Sequence, residues 1–201
     1  MMPESYYKKK QTINGFSYIY YIYDEKFGYE HQYLRNMLHQ HNGFLNGEML
    51  PYSEVGQMMG IYQTEWSWSP LFADYDNDGR TDLAIAMGYN LHGRLLLYWQ
   101  NAQGYFMDAT NASGVGHKNR ARNITFVDYD NDGLLDLFSF GDDMYTNYGL
   151  LVYKNVGNAD FIVQSRQTGL DHHRSGTDEY GFAFADIDND GDMDFFSANY
   201  E

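Results

Sequence analysis

Short apolar runs separated by polar turns recur along the whole chain. LFA and LAIAM flank the stretch DYDNDGRTD at 74–82, and RLLLYWQN is joined to YFMDAT by the tight turn AQG. Apolar and aromatic runs of this kind, bounded by Gly, Asn and Asp, predict strands rather than helices. The 20 Tyr, 13 Phe and 3 Trp favour strands, and only three prolines interrupt the pattern. One segment tempts a helix reading, YEHQYLRNMLHQH at 29–41. Its counterparts LLYWQN at 96–101 and LLVYKN at 150–155 read as strands, so Met37 to His41 is predicted as a strand too.

The pattern is repetitive. DYDNDGRTD returns as DYDNDGLLD at 128–136 and as DIDNDGDMD at 186–194. Two further markers keep step with it. The asparagines Asn42, Asn101 and Asn155 close similar apolar runs, and a glycine precedes an aliphatic residue at Gly60-Ile61, Gly114-Val115 and Gly169-Leu170. The unit is about 55 residues, a length typical of one β-propeller blade, and each unit reads as four short strands. The units run over about 10–61, 62–115, 116–170 and 171–201 within a single domain, 1–201. In the first, aligning Gly15 with Gly79, Gly133 and Gly191 puts Lys10, Thr12, Asn14 and Tyr18 at the aspartate positions, so that copy is expected to hold no metal. A closed propeller takes four to eight complete blades. The expectation is therefore an all-β partial propeller of four-stranded antiparallel blades, about three to four of them, forming a fragment of a longer protein.

Each acidic stretch carries carboxylates at positions 1, 3, 5 and 9 with glycine at 6. Like charges so close repel unless something draws them together, and a hard divalent cation does so. Calcium takes six to eight oxygens at about 2.3–2.6 Å. The predicted ligands are Asp74, Asp76, Asp78 and Asp82; Asp128, Asp130, Asp132 and Asp136; and Asp186, Asp188, Asp190 and Asp194. Position 7 (Arg80, Leu134, Asp192) would add its backbone carbonyl. Glycine at 6, and the asparagine at 4 (Asn77, Asn131, Asn189), are residues that tolerate positive φ. The absence of thiolate and imidazole argues against zinc and copper, and magnesium, which prefers a rigid octahedron, is the weaker candidate. A polar hairpin turn would explain one copy; three with one spacing favour up to three Ca²⁺.

Charge supports that location of the chemistry. The formal net charge is −15, but 13 of the 28 acidic residues lie in the three stretches, leaving 15 against 13 Lys and Arg. No basic face suggests a nucleic-acid partner. Cysteine is absent, so no disulfide is available, and no apolar run is long enough to span a membrane. The N-terminal MMPESYYKKKQTINGF lacks the apolar core of a signal peptide.

DYDNDGRTDLAIAMG, DYDNDGLLDLFSFG and DIDNDGDMDFFSANY resemble the FG-GAP/VCBS repeats of integrin-α-like β-propellers. WSWSPLFADYDNDG, with Trp66 and Trp68 before the loop, is similar to the group that includes cartilage acidic protein, and LLYWQNAQGYF and NASGVG match its blade ending. The resemblance covers most of 37–201 and implies a Ca²⁺-stabilised propeller. It also implies an extracellular or cell-surface location and a role in protein or glycan binding and adhesion.

Other signals are weaker. An EF-hand needs glutamate at position 12, where Ile85, Ser139 and Ser197 stand. His39 with His41, and His172-His173, read as surface pairs before they read as ligands. SGVGHK at 113–118 lacks the phosphate-loop spacing. Asn111 and Asn123 begin sequons that matter only in a secreted eukaryotic protein. No nucleophile–base constellation emerges, so the expectation is a non-enzymatic binding module. The alternative is a fragment of a calcium-dependent propeller enzyme such as a polysaccharide lyase, with loops like 171–180 contributing.

Overall fold

The computed structural model describes residues 2–3, 23, 26–28, 33–34, 36–64, 67–88, 94–116, 120–142, 150–170 and 178–200. The degenerate first loop (Lys10, Thr12, Asn14, Tyr18), Trp66 and His172-His173 lie outside them. The chain divides into two compact units, Met1–Glu65 and Trp66–Glu201.

The first unit is built from two-residue strands. β1 (Met2–Pro3) pairs in parallel with β2 (Tyr33–Leu34). β3 (His39–Gln40) pairs antiparallel with β6 (Ser53–Glu54), and β4 (Phe44–Leu45) pairs with β5 (Glu48–Met49). Asn46 and Gly47, at φ 54° and 85°, turn that hairpin, a two-residue connection in which positive φ at both positions matches the twist of the strands. The strand predicted at Met37 to His41 is thus real but reduced to His39–Gln40. Both of its side chains are exposed, so no apolar burial favours extending it.

The second unit holds two complete four-stranded meanders and a hairpin. The first meander runs β7 (Ser67–Ala73), β8 (Asp82–Met87), β9 (Leu95–Gln100) and β10 (Phe106–Asp108), in sheet order β10-β9-β8-β7. The second runs β11 (Arg120–Val127), β12 (Asp136–Asp142), β13 (Leu150–Asn155) and β14 (Phe161–Val163). β15 (Asp178–Ala185) and β16 (Asp194–Tyr200) pair antiparallel. All three opening hairpins carry the same register shift, between Ser67 and Ser69, Ala121 and Asn123, and Glu179 and Gly181. The described fold is all-β, in repeated antiparallel sheets as the spacing predicts.

Alternating side chains stack the repeats face to face. Ala84, Ala86, Leu95 and Leu97 of the first meander share a core with Ile124, Leu137, Leu151, Tyr153 and Phe161 of the second. On the opposite face of the second, Phe138 and Phe140 meet Phe182, Phe184 and Phe195 of the hairpin. Ring centroids lie 4.6 Å apart for both Phe138–Phe184 and Phe140–Phe182, within the range where tilted aromatic pairs attract.

The register also corrects one repeat marker. Leu83 pairs with Tyr98 and Leu137 with Tyr153, so Tyr98 matches Tyr153 and Asn155 matches Gln100, not Asn101. The shared asparagine letter, one place out of step, misled the alignment of those strand ends.

Candidate metal centres

Each acidic stretch joins two antiparallel strands whose register closes it directly. Ala73 pairs with Asp82, Val127 with Asp136, and Ala185 with Asp194. The enclosed turn is the same three times. Asn77, Asn131 and Asn189 have φ of 58°, 58° and 62°, and Gly79, Gly133 and Gly191 have 84°, 84° and 96°. These are the two positions the sequence marks for positive φ. Left-handed backbone is costly for most side chains and tolerated by asparagine and glycine.

The turn is held from inside by its first aspartate. Asp74 Oδ1 accepts the Asp78 N–H at 3.1 Å and Oδ2 the Gly79 N–H at 2.9 Å. Asp128 does the same with Asp132 and Gly133 at 3.0 and 2.9 Å, and Asp186 with Asp190 and Gly191 at 3.1 and 3.0 Å. Oxygens of Asp74, Asp76 and Asp78 lie within 4.8 Å of one another, as do those of Asp128, Asp130 and Asp136 and of Asp186, Asp188 and Asp194. Two oxygens on opposite sides of a calcium ion stand about 5 Å apart, so each triad fits one hard cation. The fourth predicted aspartate of each loop, Asp82, Asp132 and Asp190, falls outside its triad.

Asp82 and Asp136 are fully buried and braced by backbone. Asp82 accepts N–H groups from Tyr75 at 3.2 Å and Gln100 at 2.8 Å. Asp136 accepts from Tyr129 at 3.4 Å and Asn155 at 2.7 Å. Burial pushes both carboxyls up to about 6, against the lowering effect of those N–H bonds. Asp76 is raised as well, by burial first and then by the Asp74 charge.

Two cations meet the carboxylates of the first two loops, Arg80 from within its own loop and Lys154 from a strand that the loop's own sequence does not mark. The Arg80 guanidinium contacts Asp78 while its Nε donates to the Gln100 carbonyl at 2.7 Å. Lys154 Nζ donates to Asp130 and, at 2.7 Å, to Asp132. Burial would lower Lys154, but its bonds to Asp130 and Asp132 outweigh that and hold it above the ordinary lysine value. The same ammonium holds Asp132 below the usual carboxylate range. For position 7, the structure places Arg80, Leu134 and Asp192 at the loop with their N–H groups donating to the position-5 carboxylate (2.8, 2.9 and 2.9 Å).

Asparagines tie loop to loop. Asn77 Nδ2 donates to the Gly133 carbonyl at 3.2 Å, and Asn131 Nδ2 to the Gly191 carbonyl at 3.0 Å and to Asp192 Oδ1 at 3.2 Å. The buried Asn155 donates its amide to the carbonyls of Tyr75 at 2.9 Å and Leu135 at 3.1 Å. Apart from the Asn155–Leu135 bond, these partners are 56 to 80 positions apart, so only the translation of one repeat onto the next could have signalled them.

In the second unit three antiparallel sheets, each opened by a nine-residue acidic turn, define a class of repeat protein. Residues 74–139, from the first loop through the second, match the family model of the FG-GAP-like repeat. No curated protein matches it. Among the described residues, no helix is long and apolar enough to cross a membrane.

Proposed function

We propose that this chain is a calcium-binding repeat module, with up to three Ca²⁺ held by Asp74/Asp76/Asp78, Asp128/Asp130/Asp136 and Asp186/Asp188/Asp194. The observation that carries the reading is that three turns of one sequence spacing and the same positive-φ pattern each gather three carboxylates within 4.8 Å, at positions 1, 3 and 5 in the first loop and 1, 3 and 9 in the other two. All donors are hard oxygens, which suit calcium before any thiophilic metal. Asp82, Asp132 and Asp190 and the carbonyls of Arg80, Leu134 and Asp192 complete the shells in this reading. Affinity belongs at the extracellular end of the calcium range, about 10⁻⁴–10⁻³ M.

The finer reading places the repeats in a β-propeller of the integrin-α-like, cartilage-acidic-protein-like kind. It works outside the cell or at its surface as a non-enzymatic module binding a protein or glycan. Sites of that affinity would fill only where calcium is millimolar. Isothermal calorimetry tests the metal: calcium heats saturating near millimolar with a stoichiometry approaching three are expected, and no heat at several millimolar would overturn the reading. A glycan array probed with and without EDTA tests the partner.

A further inference from the structure

We propose that loops 1 (74–82) and 2 (128–136) bind metal cooperatively, occupation of either raising the affinity of the other. The proposal rests on the calcium reading above. The two closing carboxylates are joined by a buried relay. Asp136 Oδ1 accepts the Asn155 N–H at 2.7 Å, the Asn155 amide donates to the Tyr75 carbonyl at 2.9 Å, and the Tyr75 N–H donates to Asp82 Oδ2 at 3.2 Å. Asp82, Tyr75, Asn155 and Asp136 all have 0% exposure, so water cannot readily replace any link, and an unmade bond there is costly. A second tie runs at the loop tips. Asn77, between Asp76 and Asp78, donates to the Gly133 carbonyl, one residue before the position-7 carbonyl of loop 2.

The sign follows from what each ion must order. An ion in loop 2 fixes Asp136 and the Gly133–Leu134 peptides. Those hold Asn155 and Asn77, and through them the Tyr75 peptide, Asp82 and the turn carrying Asp76 and Asp78. The second ion then enters a loop whose ordering has already been met. Repulsion between the two ions opposes this, but each loop's four carboxylates exceed the charge of its ion, and salt screens what remains. Loops 2 and 3 share only the Asn131 tie among the described residues, so their coupling is the weaker.

Coupling energies of this kind correspond to 5–150-fold changes in affinity; a few hydrogen bonds put this one near the low end, about fivefold to tenfold. The test uses the full chain with loop 3 disabled by Asp186→Asn/Asp188→Asn. Calorimetry reads the loop 1 calcium affinity with loop 2 intact and with loop 2 disabled by Asp128→Asn/Asp130→Asn. The same pair is then measured with Asn77→Gly, which keeps positive φ free of strain, and with Asn155→Leu, which keeps the backbone N–H to Asp136. The ratio of affinities is expected to be about fivefold or more, and to fall at least twofold in each asparagine variant. Should Asn155→Leu fail to fold, Asn77→Gly alone decides. A ratio of one, with calcium still bound, overturns the coupling and leaves the calcium reading standing. A ratio unmoved by either asparagine variant overturns the route. No calcium heat in any protein overturns the calcium reading and the coupling with it.

Discussion

Loops 1 and 2 share their turn with loop 3 but not their surroundings. Asp82 and Asp136 are fully buried and each accepts two backbone N–H groups, whereas Asp194 is exposed and accepts one, from Ile187 at 3.0 Å. At position 2, Tyr75 has 0% exposure and Ile187 has 77%. Yet all three loops keep the left-handed asparagine, the positive-φ glycine and the bonds from position 1 to the N–H groups of positions 5 and 6. The difference separates two layers of cause. Nine residues suffice to shape the turn, because its bonds are local. The environment of the closing carboxylate is set by the third strand of a sheet, β9 for Asp82 and β13 for Asp136, which delivers the Gln100 and Asn155 N–H groups.

The largest break in that comparison is at position 9. Asp136→Ala strands the buried N–H groups of Tyr129 and Asn155, at about 1–3 kcal/mol each. Release of a carboxylate whose ionisation burial already disfavours offsets part of that. A net loss of about 2–3 kcal/mol is expected for Asp136→Ala and for Asp82→Ala. Asp194→Ala, at an exposed site, should lose less than about 1 kcal/mol. Urea unfolding in EDTA measures all three, and equal losses would mean that Asp194 is buried in solution.

Calcium itself should sharpen the contrast. At a tenfold excess over Kd each independent site adds about 1.4 kcal/mol, and a melting temperature indifferent to EDTA would sink the metal reading. The pH dependence then picks out loops 1 and 2. Asp82 and Asp136 have folded values raised to about 6 from 3.8. Their contribution to stability in EDTA is therefore fully present below about pH 3.8 and lost as pH rises through about 6. Calcium needs them ionised, so its affinity for these two loops should drop by up to about tenfold per unit below pH 6. Calorimetry at pH 7.5, 6 and 5 follows it; a flat profile would show that neither carboxylate is a ligand.

Much of this was legible in the sequence because it is periodic or local: the four-stranded units, the three turns, and the positive φ of Asn77 and Gly79. The misaligned strand end shows the limit, since identical letters at Asn101 and Asn155 concealed the equivalence of Gln100 and Asn155. Lys154 and the Asn155 amide act on groups 20 to 80 residues away, and nothing near them in the chain marks their role. Nor does the motif itself distinguish a buried Asp82 from an exposed Asp194.

The smallest expected difference lies at position 5, where cations rather than burial separate the loops. Asp78 is paired with Arg80, and Asp132 with Lys154 at 2.7 Å. Among the described residues no lysine or arginine pairs with Asp190, whose side chain accepts only the Asp192 N–H at 2.9 Å. The pairs are partly exposed, so each is worth about 0–1 kcal/mol; removing Asp78 takes away the carboxylate that Arg80 contacts, whereas Lys154 keeps Asp130 when Asp132 is removed. In calcium, alanine at each position further loses a prospective ligand, and loop 3, less supported by neighbouring strands, gains less from its ion to begin with. Asp190→Ala should therefore cost about 0.5 kcal/mol less than Asp78→Ala or Asp132→Ala. Raising the salt to 1 M, where the Debye length falls to about 3 Å, should shrink that margin in EDTA. A margin that survives high salt would place its origin in the strands around the loop instead of in Arg80 and Lys154.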